Sequence, residues 1–118
     1  VSVQLRDMRD AVIAQVDEQP QRERYPTSMW EPAEVVRDRH RLSLTPRLAE
    51  GIYTLYLCMY DLNTLRRLPV STQAGERYVH DEVALGRLVV TPGSDFELHP
   101  ANPLAGVHMI PLGVERVR

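Results

Sequence analysis

The chain has no lysine: all 14 basic residues are arginine, a bias of genomic base composition or a hot habitat. It has one cysteine, Cys58. That excludes an internal disulfide and leaves the redox compartment unfixed. Cys58 lies inside an apolar run with no activating neighbour, so it reads as a buried, inert thiol. No apolar run approaches the roughly 20 residues that a membrane-crossing helix needs. No leader peptide is visible, and the start at Val1 reads as the start of a fragment cut from something longer. The net charge of −2 excludes a nucleic-acid binder that works by neutralising phosphates.

Chemical motifs are equally scarce. There is no glycine-rich phosphate cradle, no nucleophile elbow and no serine in a triad-like context. The four histidines, His40, His80, His99 and His108, do not pair at metal-ligand spacing, and Cys58 has no companion. Asp7, Asp10 and Asp17 do not match a calcium loop. The expectation is a chain with no catalytic residue, no metal and no cofactor. Asp38 with His40, and His80 with Asp81 and Glu82, can be drawn as acid–base pairs, but the latter run reads better as solvated residues at the start of a strand.

What is present is a β-forming pattern. With 43% hydrophobic and 25% charged residues, the 118-residue chain reads as one globular domain, with residues 100–118 as a tail. The most apolar stretch is 51–61, GIYTLYLCMYD. Tyrosine and isoleucine suit a pleated surface, and Gly51 and Asp61-Leu-Asn-Thr64 bracket the run with turn chemistry. It predicts a strand buried on both faces. Tyr53, Leu55, Leu57 and Met59 form the core side; Ile52, Thr54, Tyr56, Cys58 and Tyr60 form an amphipathic side. The order Leu48, Gly51, Tyr53 suggests a tyrosine corner, in which the phenol bonds back to upstream backbone.

Further strands are predicted over residues 1–5 (an edge), 11–16, 33–44, 65–70, 83–90 and 107–117, with Gly86 as a bulge in the fifth of them. An alternative places a helix over residues 3–16, with Leu5, Met8, Val12 and Ile13 on one face. Residues 65–70 are expected to pair with the central strand, and Pro69 puts that partner at an edge. Residues 96–103 read as irregular. Within 33–44 the alternation is strict: Val36, Asp38, His40, Leu42 and Leu44 face inward, and Val35, Arg37, Arg39, Arg41 and Ser43 face outward. Inward Asp38 needs donors, expected from backbone N–H groups of the Trp30 loop or from Arg67. Short strands between turns predict an all-β antiparallel sandwich of about seven or eight strands, immunoglobulin-like or a jelly-roll Greek key.

Trp30, the only tryptophan, sits between Pro26 and Pro32 and reads as a plug at one end of the core with its N–H bonded locally. A sharper reading makes Tyr25, Trp30 and Tyr56 aromatic platforms for a sugar ring.

Three segments then carry a resemblance: PTSMWEPAEVVRDRHRLSL, LAEGIYTLYLCMYDLNTLRRLPV and DEVALGRLVV. In that order, with Trp30, Asp38, Gly51, Tyr53, Tyr60, Asp61, Arg67 and Leu68 as anchors, the chain resembles a C-terminal soluble β-sandwich region. The region belongs to bacterial multi-pass membrane proteins of the glycosyltransferase-like, dolichyl-phosphate-mannose mannosyltransferase type. The match covers roughly residues 11–90, and residues 104–113 resemble the opening strand of such a domain, which implies that 100–118 is the start of a further repeat or completes this sandwich. Ala33 and Cys58 stand where that pattern favours glycine. The resemblance implies an extracytoplasmic accessory or interaction domain, bound to the membrane only through a parent protein. It carries over no catalytic residue. The partner implied is a glycan or another envelope protein domain; Asp38, His40, Tyr53 and Arg67 are structural polar residues.

Overall fold

Asp7 shapes the first turn of the chain. Its carboxylate accepts the N–H groups of Arg9 and Ala11 at 2.8 and 3.0 Å, and Asp10 takes the left-handed conformation at φ 63°. That turn joins β1, Ser2–Arg6, to β2, Val12–Asp17, in an antiparallel hairpin. The computed structural model describes residues 1–21, 23–45, 48–72, 74–93 and 95–100. Three more strands follow: β3 at Gly51–Cys58, β4 at Val83–Thr91 and β5 at Asp95–Pro100. All five pair antiparallel in one sheet of order β2-β1-β3-β4-β5. The fold is all-β, and the helix alternative for residues 3–16 is not what forms.

One face of this sheet is apolar. Leu5, Tyr53, Leu88 and Val90 are buried there with Leu48, and Leu42, Leu44, Leu55, Phe96, Leu98 and Ala14 pack around them. Each fully buried aliphatic side chain stabilises the fold by about 1.5–3 kcal/mol. Gly86 lies at the expected bulge: Leu55 pairs with Gly86, yet Tyr56 pairs with Ala84, so Leu85 is the extra residue. Past the bulge, Val83 opposite Leu57 keeps the side of Leu88 opposite Tyr53, and both Val83 and Leu85 are buried. The tyrosine corner is present. The Tyr53 hydroxyl donates to the Ala49 carbonyl at 2.6 Å, four residues upstream.

Several expectations are corrected. β1 is an interior strand, flanked by β2 and β3, because a partner some fifty residues downstream covers its second edge. The central strand is not buried on both faces; Ile52 is 42% exposed, and the side it shares is polar. Residues 96–103, read as irregular, begin with β5, whose Phe96 and Leu98 point into the core. Residues 65–70 do not pair with β3. β1 and β4 occupy both its edges, and the expected pairing forms only at the end of the 51–61 run, where Tyr60 bridges Arg67, Asp61 N–H donates to the Arg66 carbonyl at 2.9 Å and Leu68 N–H to the Met59 carbonyl at 2.7 Å. The turn itself is as expected: the Asp61 carboxylate accepts the N–H groups of Asn63 and Thr64.

Residues 33–44 alternate as expected, with the arginine side exposed and the Val36–Asp38–His40–Leu42–Leu44 side half-buried. They join no ladder among the described residues. This segment lies against the apolar face through Leu42 and Leu44 rather than adding a strand. The strand expected over 107–117, with His108, and all but the first residue of the 100–118 tail lie outside the described residues.

Candidate functional site

The second face of the sheet is polar, and it follows from period-two alternation. Ser2, Gln4 and Arg6 of β1 share a side. Register places Ser2 beside Asp17 and Cys58, and Gln4 beside Gln15 and Tyr56. At its centre is Arg6, whose guanidinium lies 4.3 Å over the Tyr56 ring. Arg6 Nη1 and Nη2 donate to the two oxygens of Glu82 at 3.0 and 2.6 Å. Its Nε and Nη2 also donate to Gln4 Oε1 at 3.0 and 2.8 Å. The Glu82 hydrogen bond, more than any other contact, raises the Arg6 guanidinium above its ordinary range; burial opposes it. Arg67 approaches the same carboxylate at 3.1 Å and donates to the His80 carbonyl at 3.0 Å. Glu82 is therefore no solvated residue: its side chain is 11% exposed and holds two arginines.

Beside this cluster is an open depression of about 300 Å³, lined by Ser2, Gln4, Gln15, Cys58, Tyr60, Leu65 and Arg67. Gln15 Nε2 donates to Asp17 at 2.7 Å and to the Ser2 hydroxyl at 3.4 Å. Burial, then the Asp17 carboxylate, raises the Tyr60 phenol above its ordinary value. The lining offers two amides, a hydroxyl and a phenol as neutral hydrogen-bonding groups, beside the charged guanidinium of Arg67. It offers no group poised as a nucleophile.

A second polar cluster ties the excursion between β2 and β3 together. His40 Nδ1 faces Glu18 at 2.8 Å and Nε2 faces Asp38 at 2.5 Å. The other Asp38 oxygen accepts the Gln21 backbone N–H at 2.7 Å. The donor is backbone, as anticipated, but it belongs to the 18–21 stretch rather than the Trp30 loop, and Arg67 is committed to Glu82. A ring held by carboxylates on both nitrogens has neither left for a substrate proton or a metal ion. Asp81 is similarly engaged. Arg77 Nε and Nη2 each donate to it at 2.8 Å, and this contact first, with Val70 N–H and Arg67 assisting, lowers its carboxyl to about 2.

Of the aromatic candidates, Tyr25 and Trp30 stand on one loop, where Trp30 Nε1 donates to the Tyr25 carbonyl at 3.1 Å. The N–H is thus satisfied locally, as expected. Trp30 is half-buried and outside the apolar cluster, so it does not plug the core. The Tyr25 hydroxyl donates to Glu34 at 2.7 Å, which raises the phenol and lowers the carboxyl. Tyr56 stands on β3 under Arg6, and among the described residues no ring contact joins it to the other two.

Arg6 and Arg77 escape sequence reasoning, and Asp81 and Glu82 enter it only beside His80, without their arginine partners. The hydropathy alternation of β1 does show Arg6 pointing away from Leu5, but its partner is 76 residues away. Among the described residues, no group of three or more His, Cys, Asp or Glu is placed to hold a metal ion, and no helix is long and apolar enough to cross a membrane. Comparison of the chain with family models, characterised proteins and solved structures finds no match.

Proposed function

We propose that this chain is a non-catalytic accessory or interaction domain of a membrane-anchored cell-envelope protein, working outside the cytoplasm. One observation carries the non-catalytic part. Among the described residues, three clusters of ionisable groups hold one another: Arg6–Glu82–Arg67 on the sheet, Glu18–His40–Asp38 beside it and Arg77–Asp81 at the start of β4. An acid–base or nucleophilic site needs at least one such group free to meet a substrate. The envelope setting rests on the resemblance of the anchor order to the pattern of mannosyltransferase-type membrane proteins. The sandwich reading belongs with it: the sheet is one layer, and the stretch carrying Leu42, Leu44 and Leu48 begins the opposing one.

A second reading, a carbohydrate-binding module, is favoured by the depression at Gln4, Gln15, Tyr60 and Arg67, whose amides, phenol and guanidinium suit sugar hydroxyls. Tyr25 and Trp30 supply a separate half-exposed ring pair for the same purpose.

The test is turnover on a panel of glycoside, ester and phosphate substrates, run beside a glycan array. The proposal expects no turnover that Glu82→Gln or His40→Asn abolishes in a folded variant. Such turnover would overturn it. Glycan binding that Gln15→Ala weakens, with Trp30 fluorescence following any engagement of its loop, would establish the second reading in place of the first.

A further inference from the structure

We propose that residues 37–41 form a preformed rail that captures an extended acidic polypeptide segment by adding it as a β-strand. The inference rests on the interaction-domain reading and names the partner's chemistry. Arg37, Arg39 and Arg41 are exposed, and among the described residues none of their guanidinium groups has a hydrogen-bond or ion-pair partner. On an extended chain, alternate residues stand about 6.6 Å apart on one side. An opposing antiparallel strand places its own alternate side chains directly across, at the same pitch.

The backbone supplies the second observation. No backbone–backbone hydrogen bond involves residues 36–44 among the described residues. The conformation is nevertheless held from behind, by Asp38 on Gln21 N–H and His40, and by Leu42 and Leu44 on the core. Gln21 Nε2 donates to the Arg37 carbonyl at 3.2 Å, so the edge formed by the Arg37, Arg39 and Arg41 amides faces the Gln21 loop. In an extended chain the peptide groups of neighbouring residues point to opposite edges. Among the described residues, the free edge is therefore that of Asp38, His40 and Leu42. An incoming strand takes their N–H and C=O groups and sets carboxylates opposite the arginines.

Charge selects the occupant. The whole chain carries a net −2, which disfavours long polyanions that run past the rail. A short segment with Asp or Glu at every second position meets only the three arginines.

The experiment uses fluorescein-labelled decapeptides and the whole chain at physiological salt. The first peptide alternates Glu and Thr. The second has the same composition with its glutamates in one block, and the third is the first with alternate backbone amides methylated. Inorganic polyphosphate is the competitor. The alternating peptide is expected to bind at least tenfold tighter than the other two. R37Q/R39Q/R41Q is expected to lose at least tenfold with unchanged circular dichroism, since those guanidinium groups hold no partner among the described residues. Binding is expected to protect the Asp38, His40 and Leu42 amides from exchange. Equal affinity for the block peptide, insensitivity to methylation, or displacement by polyphosphate at matched charge would overturn the rail, as would no measurable binding. None of those results requires turnover, so the interaction-domain reading fails separately.

Discussion

Glu82→Gln removes the charge that holds the polar face together. The side chains of Arg6 and Glu82 are only 8% and 11% exposed, and two short hydrogen bonds join them. Without the carboxylate, the guanidinium keeps Gln4, the exposed Asp10 and the Tyr56 ring, but no buried counter-charge. Breaking one side of a buried pair costs about 3–5 kcal/mol. Glutamine retains one acceptor oxygen, so the expected loss is near the lower end, about 3 kcal/mol. Against a total stability of about 5–15 kcal/mol, that is a large fraction. In a domain of this size it lowers Tm by about 10 °C. Replacing both partners by apolar residues removes the desolvation cost together with the attraction. Arg6→Met with Glu82→Leu should therefore lie within about 1 kcal/mol of the parent. Urea titrations followed by circular dichroism give both values. A loss under about 0.5 kcal/mol for Glu82→Gln would show a pair behaving as a surface contact. A double variant as unstable as the sum of its parts would refute the reasoning outright.

Ala33 sits at φ 63° in a turn whose Glu34 N–H donates to the Glu31 carbonyl at 3.2 Å, with Pro32 before it. That third position of a Pro-containing turn favours glycine, so Ala33→Gly should raise stability by about 0.5–1 kcal/mol in a denaturant titration. The Tyr78 hydroxyl is buried and finds no partner among the described residues. Tyr78→Phe should be stabilising by about 1 kcal/mol, read as a higher Tm. Arg77 keeps the Asp81 carboxyl at about 2, below its ordinary 3.8. A depressed carboxyl contributes stability that is fully present above pH 4 and is lost as pH falls towards 2. Carbon-13 titration of Asp81 should show the low midpoint, and Arg77→Gln should move it up.

Local chemistry made part of this fold legible. The Tyr53 corner, the Gly86 bulge, the Asp7 and Asp61 turns and the in–out alternation of residues 35–44 all depend on neighbours within a few positions. Pairing does not. β1 reads as an edge until β3 arrives on its far side, and residues 65–70 read as the hairpin partner of β3 because nothing local shows that β4 displaces them. β5 has the period-two pattern of Phe96 and Leu98 between Asp95, Glu97 and His99, but Pro100 and Pro103 mask it. The same limit applies to the site. Asp38 shows its need for a donor, and Arg6 its polar side. Gln21, Glu18 and Glu82, which answer those needs, are chosen by tertiary placement alone.

Residue-resolved amide hydrogen exchange on the free chain tests the account most directly. It predicts slow exchange at Leu5, Tyr53, Leu55 and Leu88 in the sheet, and fast exchange at Asp38, His40 and Leu42, whose side chains point inward while their amides have no partner among the described residues. Protection at those three positions equal to that of β1 would mean that the rail is already occupied by this chain, and would contradict it.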